Sequence, residues 1–354
     1  MSGSWWSRAC AVPSQEHAAR AGARQRCLTK PPGALGRLET LAVELAAMQA
    51  SDRPRAAHVP VLLFAADHGV VAQGVSAFPA AVTVQMLANF AAGGAAIAVL
   101  ARELGLPLHL RDVGTLADGP VAGATVDKPC RGTRDLSMEA AMDEAGVAHA
   151  LEAGRRAVDE AGGDLDLLLL GEMGIGNTTP ASALACVLAA LPVEGLVGAG
   201  TGLDDARIAL KQAVVERALD LHGGAIKAAP QPALEALRRV GGLEIAAMAG
   251  AMVAAAQRGV PVLVDGFIVS AAALVAVGLN PGVRDWLLFS HCSAERGHRR
   301  LLEALGATPL LQLDLRLGEG SGAALSLPLL RLACALHNDM ATFEEAAVAG
   351  ATPA

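Results

Sequence analysis

Along this chain, short apolar runs that stop at glycine or a polar residue alternate with longer stretches of helical period. The runs are "VPVLLFAADHG" (59–69), "LPLHLRDVG" (106–114), "LDLLLLGEMG" (165–174), "EGLVGAG" (194–200), "VPVLVDG" (260–266), "DWLLFSHCS" (285–293) and "PLLQLDLRLGEG" (309–320). Their length suits strands, and their near-continuous apolar character marks strands buried on both faces. Helical patterns fill 82–105, 138–162, 204–223, 232–259 and 294–306. Strands separated by helices predict an α/β, doubly wound, mainly parallel sheet. The ends differ from this middle. "ALGRLETLAVELAAM" (34–48) is an amphipathic helix after the stop signal "KPPG", and 323–347 is helical again. We therefore expect an α/β core over 59–320 and a small helical domain from 29–58 with 321–354. Residues 1–28 are expected to be a disordered extension; "MSGSWWSRACAVPSQ" lacks the basic and apolar regions of a signal peptide.

Composition narrows the function. The 354 residues are 53% hydrophobic but only 3% aromatic, with much of the apolar content alanine. No run of about 18 strongly apolar residues is free of breakers and charges, so no membrane partner is expected. The net charge of −7 argues against nucleic acid as a partner. It leaves room for a small anion, because helix N-termini and glycine turns bind phosphate without net positive charge. Six scattered cysteines without a C-x-x-C suggest reduced thiols and a cytoplasmic protein.

In open α/β sheets, ligands bind at the carboxyl ends of strands. Here those ends carry Asp67-His68-Gly69, Glu172-Met173-Gly174, Gly200-Thr201-Gly202, Asp265-Gly266, Ser290-His291 and Glu319-Gly320. "GEMGIGNTTPASAL" (171–184) follows a strand, and Thr179 can cap a helix beginning at Pro180. It is either an ordinary strand-to-helix turn or an anion site; a second glycine turn, "GAGTGLDD" (198–205), favours the anion site. Glu172 is either a loop-bonding carboxylate or one of a catalytic pair with Glu319, which stands among Gly318, Gly320 and Gly322. Lys211 either reaches a phosphate or carboxylate, or lies on a solvated helix face. "SHCSAERGH" (290–298) fits no closed zinc site, so no metal is expected; Ser293 and amides of a helix opening at Ala294 suit a phosphate better.

Taken together, "TKPPGALGRLE", "ADHGV", "GVSAFP", "VTVQML", "GEMGIGNTT", "GTGLDD", "VGGLEIAAM", "VDGFIVSAAALVA", "SHCSAERGH" and "LRLGEGSGAALSLPLL" resemble the nicotinate-nucleotide–dimethylbenzimidazole phosphoribosyltransferases. The resemblance runs in order from about Thr29 to Phe343. It implies a Rossmann-like sheet with a small helical domain, a homodimer, no cofactor, and transfer of phosphoribose from nicotinate mononucleotide to 5,6-dimethylbenzimidazole in cobalamin assembly. Glu319 is then the general base and Glu172 the second acid. Gly174, Gly176, Asn177, Gly200, Gly202 and Gly318 match the nucleotide site, with Lys211 and Ser293 for the phosphate. Ala77, Phe78, Gln85, Met173 and Leu317 match the acceptor pocket. Departures from the family pattern at Ala66, Phe78, Cys292 and Arg296 remove no catalytic group and leave acceptor preference open. Alternatives are another acceptor, such as adenine or a phenol, or a non-catalytic nucleotide sensor; the retained pair of glutamates argues against the sensor. A diphosphate-sugar transferase is disfavoured, since no paired-acid run for Mg²⁺-pyrophosphate follows a strand.

Overall fold

The computed structural model describes residues 4–198 and 204–349. In chain order the elements are α1 (Gln15–Cys27), α2 (Arg37–Met48), β1 (Val61–Ala66), α3 (Ala81–Ala91), α4 (Ala96–Leu104), β2 (Leu108–Gly114), β3 (Ala124–Val126), α5 (Glu144–Glu160) and β4 (Leu168–Met173). There follow α6 (Thr178–Ala189), α7 (Asp205–Ala228), α8 (Pro232–Val240), α9 (Leu243–Arg258), β5 (Val262–Val264), α10 (Phe267–Leu279), β6 (Leu287–Phe289), α11 (His298–Ala304) and α12 (Ser321–Asp339). The strands hydrogen-bond in the order β3-β2-β1-β4-β5-β6, every neighbouring pair parallel. This is the doubly wound sheet expected, and its order reverses between β1 and β4. The crevice beyond the carboxyl ends of those strands is where such a fold binds ligands.

The apolar strands read as they do because they face two cores. In β1, Leu62, Phe64 and Ala66 enter the core with β4 residues Leu168 and Leu170 and helices α5, α6, α9 and α10. Val61, Leu63 and Ala65 enter the other, with Leu41 and Leu45 of α2, Leu87 of α3 and Leu327 of α12. Alanine and glycine let helices approach closely. A Cβ on Gly154 of α5 would meet the Ala247 carbonyl of α9, and one on Gly250 of α9 would meet the Leu151 carbonyl of α5. Small side chains therefore bring these two helix backbones into contact.

Several elements differ from the sequence reading. Residues 1–28 were expected to be disordered, yet α1 forms, with Ser14 accepting from the His17 amide as its N-cap. The Arg24 side chain donates to the carbonyls of His337 (2.6 Å), Asn338 (3.1 Å) and Met340 (3.2 Å) at the end of α12. Upstream, Gln257 donates to Trp5 O at 2.8 Å and Trp286 to Ala11 O at 2.8 Å. Partners distant in sequence order this segment, and local pattern does not reveal them. The helix expected over 82–105 breaks at Gly93, with φ +82°, into α3 and α4. By composition 81–104 has the length of a membrane span, but as two helices of 11 and 9 residues it crosses none as a single helix. The helix over 232–259 breaks at Gly241-Gly242 into α8 and α9. Residues 194–197 form a turn rather than a strand, with Gly195 at φ +77°. The last expected strand, 309–320, is irregular, joined to the sheet by a single parallel bridge between Leu311 and His291. Pro309 lacks an N–H, Asp314 sits at φ +54°, and Leu313 and Leu317 are exposed, so no buried face enforces the pleat.

Candidate active site

A cavity of about 320 Å³ opens beyond β1, β4, β5 and β6. That volume suits a small organic ligand. Glu172 ends β4 on its wall, and the turn Gly174–Asn177 follows. Gly174 is required there, since a Cβ would press on the Ala66 carbonyl and His68. The turn leads into α6, whose first residues Asn177 and Thr178 face the cavity and present a helix N-terminus to it. The helix starts at Thr178, before the expected Pro180; Thr179 does not cap it but is buried, its hydroxyl unpartnered. Asn177, the residue at the cap position, turns its amide instead to Glu172 Oε2.

The second wall is 316–319. Gly318, Glu319 and Gly320 all have positive φ, at +86°, +65° and +86°. The Glu319 amide donates to Glu172 Oε1 at 3.4 Å, so the two glutamates meet across the cavity. A Cβ on Gly318 would collide with the Glu172 carboxylate, and one on Gly171 with the Glu319 carbonyl. Both glycines therefore serve close approach. Glu319 is 5% exposed and its Oε2 has no hydrogen-bond partner. Burial raises its carboxyl above the usual range, the Ile97 amide at the start of α4 draws it down, and Asp265 raises it further.

Glu172 is more strongly perturbed. Burial, with the charges of Glu244 and Asp265 behind it, pushes its carboxyl to about 8, against the pull of Asn177 and the Glu319 amide. At neutral pH it is the acid, while Glu319 has the free oxygen. Beneath them lies a second buried pair that sequence reasoning did not find. His68 Nε2 is 2.8 Å from Glu244 Oε1, both side chains fully buried. Glu244 raises His68 above its usual range despite the burial that opposes it. The available signal was a lone carboxylate in the otherwise apolar opening of α9.

The far end of the cavity is cationic. Lys211 of α7 is 1% exposed and its Nζ donates to Thr178 Oγ1 at 2.5 Å. It is not on a solvated helix face. Burial lowers it to about 8, and Glu295 opposes that shift. Arg316 and Glu295 stand beside it on the cavity wall, neither singled out by sequence. Ser293 also lines the cavity, but no helix opens at Ala294: α11 begins at His298. The Ser293 amide donates to His298 Nδ1 at 2.8 Å, and its hydroxyl accepts from the Glu295 amide at 3.0 Å. His298 Nε2 meets Ser270 Oγ at 3.0 Å, and burial holds this ring down at about 3. It is a neutral strut packed inside the fold.

Phe78, Met173 and Leu317 line the apolar mouth as expected. Ala77 and Gln85 are exposed and do not; α3 contributes Val82 and Met86, one turn apart, instead. Gly200 and Gly202 lie outside the described residues. The structure thus brings together Glu172, Glu319, Gly174, Gly176, Asn177, Gly318, Lys211, Ser293 and three of the five residues expected in the acceptor pocket. A flat ring suits the apolar mouth, an anion the cationic end, and two buried carboxyls, one of them pushed up to about 8, stand between.

Comparison with known proteins gives the same picture. A family model described as phosphoribosyltransferase matches residues 10–348. A nicotinate-nucleotide–dimethylbenzimidazole phosphoribosyltransferase from a Bradyrhizobium strain is 63% identical over 347 residues, 98% of each chain. One so named from Xanthomonas oryzae is 56% identical over 353 residues, covering 99% of this chain and all of its own. The crystal structure of the Thermus thermophilus enzyme of that name superposes with a TM-score of 0.89 at 44% identity, covering 96% of this chain and 100% of that one.

Proposed function

The chain belongs to the nicotinate-nucleotide–dimethylbenzimidazole phosphoribosyltransferase family, and from that premise we propose how its site works. The enzyme transfers phosphoribose from nicotinate mononucleotide to 5,6-dimethylbenzimidazole, giving α-ribazole 5′-phosphate and nicotinate for the lower ligand of cobalamin. The observation that carries the assignment of roles is the buried Glu319 carboxylate, one oxygen of which has no hydrogen-bond partner, lining a cavity it shares with Glu172, which burial pushes up to about 8, and a buried lysine.

The donor's pyridinium is already a good leaving group, so no acid need protonate it. The acceptor attacks the anomeric carbon through one imidazole nitrogen and must lose the proton on the other. Glu319 takes that proton. Burial raises its basicity, and it stands on the wall of the cavity the acceptor enters. Attack opposite the departing nicotinate inverts the β linkage to α through an oxocarbenium-like state. The negative charge of Glu319 stabilises that cation. Glu172, uncharged below pH about 8, offers its hydroxyl to the ribose while Asn177 and the Glu319 amide fix its orientation. The phosphate lies at the Thr178 end of α6 against Lys211, beside the Ser293 hydroxyl. Phe78, Val82, Met86, Met173 and Leu317 hold the flat acceptor.

The reading includes a cytoplasmic homodimer, a small helical domain from 29–58 with 321–354, and nucleotide contacts from Gly200 and Gly202. Glu319→Gln is its test. The variant should bind nicotinate mononucleotide with unchanged affinity and lose about a hundredfold or more in kcat. Full turnover in that variant would remove Glu319 as the base.

A further inference from the structure

The conformation that presents Glu319 needs an explanation. Gly318, Glu319 and Gly320 lie consecutively in the left-handed region, and a non-glycine residue there costs about 1 kcal/mol. No strand ladder holds the segment. Gly320 occupies the cap position of α12 without a side chain to cap it. The missing cap comes from another part of the sheet. Asp265, just past β5, accepts from the Gly320 amide at 3.2 Å on one oxygen and the Ala323 amide at 2.9 Å on the other. It is 1% exposed. His291, past β6, packs behind it with Nδ1 3.8 Å from Asp265 Oδ1 and 2.9 Å from Ser290 Oγ. The ring fits because Gly322 has no Cβ. The loop is closed from within by Ser321 Oγ, which donates to the Gly318 carbonyl at 2.7 Å.

We infer that Asp265 is the positioning residue of the base: by capping α12 from β5 it fixes the left-handed turn at 318–320 and so the direction of the Glu319 carboxylate. The inference rests on reading Glu319 as the base. Asp265 also borders the cavity, and a direct contact with the sugar would instead show as lost donor binding.

The test is a double-mutant cycle with Asp265→Asn in the wild type and in Glu319→Gln, scored by nicotinate release. Asparagine keeps one acceptor and turns an amide toward the other N–H, so one of the two bonds fails. A misdirected base should cost about 10- to 100-fold in kcat. KM for nicotinate mononucleotide should stay within about twofold, and the loss should vanish in the Glu319→Gln background. Loss confined to KM, equal loss in both backgrounds, or undiminished kcat would overturn the inference. Should Asp265→Asn fail to fold, Ser321→Ala loosens the same turn and must show the same dependence on Glu319, at smaller size; independence from Glu319 would overturn the inference equally. A wild-type chain that releases no nicotinate would instead sink the proposed reaction. An active wild type with an inert Glu319→Gln and a fully active Asp265→Asn would sink this inference alone.

Discussion

Replacing Glu172 with glutamine should make the free protein more stable and the enzyme worse. The folded state holds this carboxyl at about 8, against an ordinary value of 4.5. Folding therefore favours its protonated form. Between those values the unfolded chain binds fewer protons than the folded one, so stability falls as pH rises. At about 1.4 kcal/mol per pH unit over that window, the ceiling is about 5 kcal/mol by pH 8. Water entering from the cavity reduces it; we expect about 2 kcal/mol. Glutamine is the uncharged isostere and does not titrate. It accepts from the Glu319 amide as before, and Asn177 can turn its own amide over to accept from it. Urea unfolding of both proteins at pH 5 and pH 8 measures the effect. The variant's advantage should be near zero at pH 5 and about 2 kcal/mol at pH 8, while its kcat falls. Parallel stability profiles across this range would refute the burial argument.

Lys211 must be charged to hold a phosphate, yet burial lowers it to about 8. Thus kcat/KM for nicotinate mononucleotide should fall above pH about 8, and Lys211→Met should raise KM about a hundredfold and leave only the shallower limb that Glu172 contributes. His298→Leu strands the Ser293 amide and the Ser270 hydroxyl, so denaturation should show a loss of about 3 kcal/mol at pH 7. Because folding holds this ring neutral, with a value of about 3 against 6.5, the wild type loses stability as pH falls below 6.5 and the variant should lack that slope. Gly250→Ala drives a methyl into the Leu151 carbonyl and should cost about 3 kcal/mol in urea, whereas Gly224→Ala in α7, with open space around it, should gain about 1 kcal/mol.

What could be read from sequence was what repeats locally. Apolar runs such as "VLLFAA" and "LLLGEM" announced strands buried on both faces, and the residues ending them announced the site. Glu172 and Glu319 stood out as carboxylates ending apolar runs beside glycine and Lys211 as a cation in the helix after a glycine turn, while Asn177 came from the family resemblance. What could not be read depends on long-range pairing. His68 and Glu244 are 176 positions apart, and Glu319 and Glu172 are 147 apart. Only the sheet order brings either pair together. The sequence 309–317 alternates like a strand, but nothing covers Leu313 or Leu317 and Asp314 bends the chain. The order in α1 comes from Arg24 reaching the end of α12, a contact no local periodicity carries. Val82 and Met86, rather than Gln85, meet the cavity because Leu87 and Phe90 are buried in the core, which fixes the rotation of α3.

The central claim concerns one proton and one glycosidic bond. Wild-type protein supplied with nicotinate mononucleotide and 5,6-dimethylbenzimidazole should release nicotinate one-for-one with a ribazole phosphate. Mass and anomeric NMR analysis of that product should show the α linkage, with the same bond formed far more slowly by Glu319→Gln. A β-linked product, or nicotinate released without transfer to the base, would contradict it.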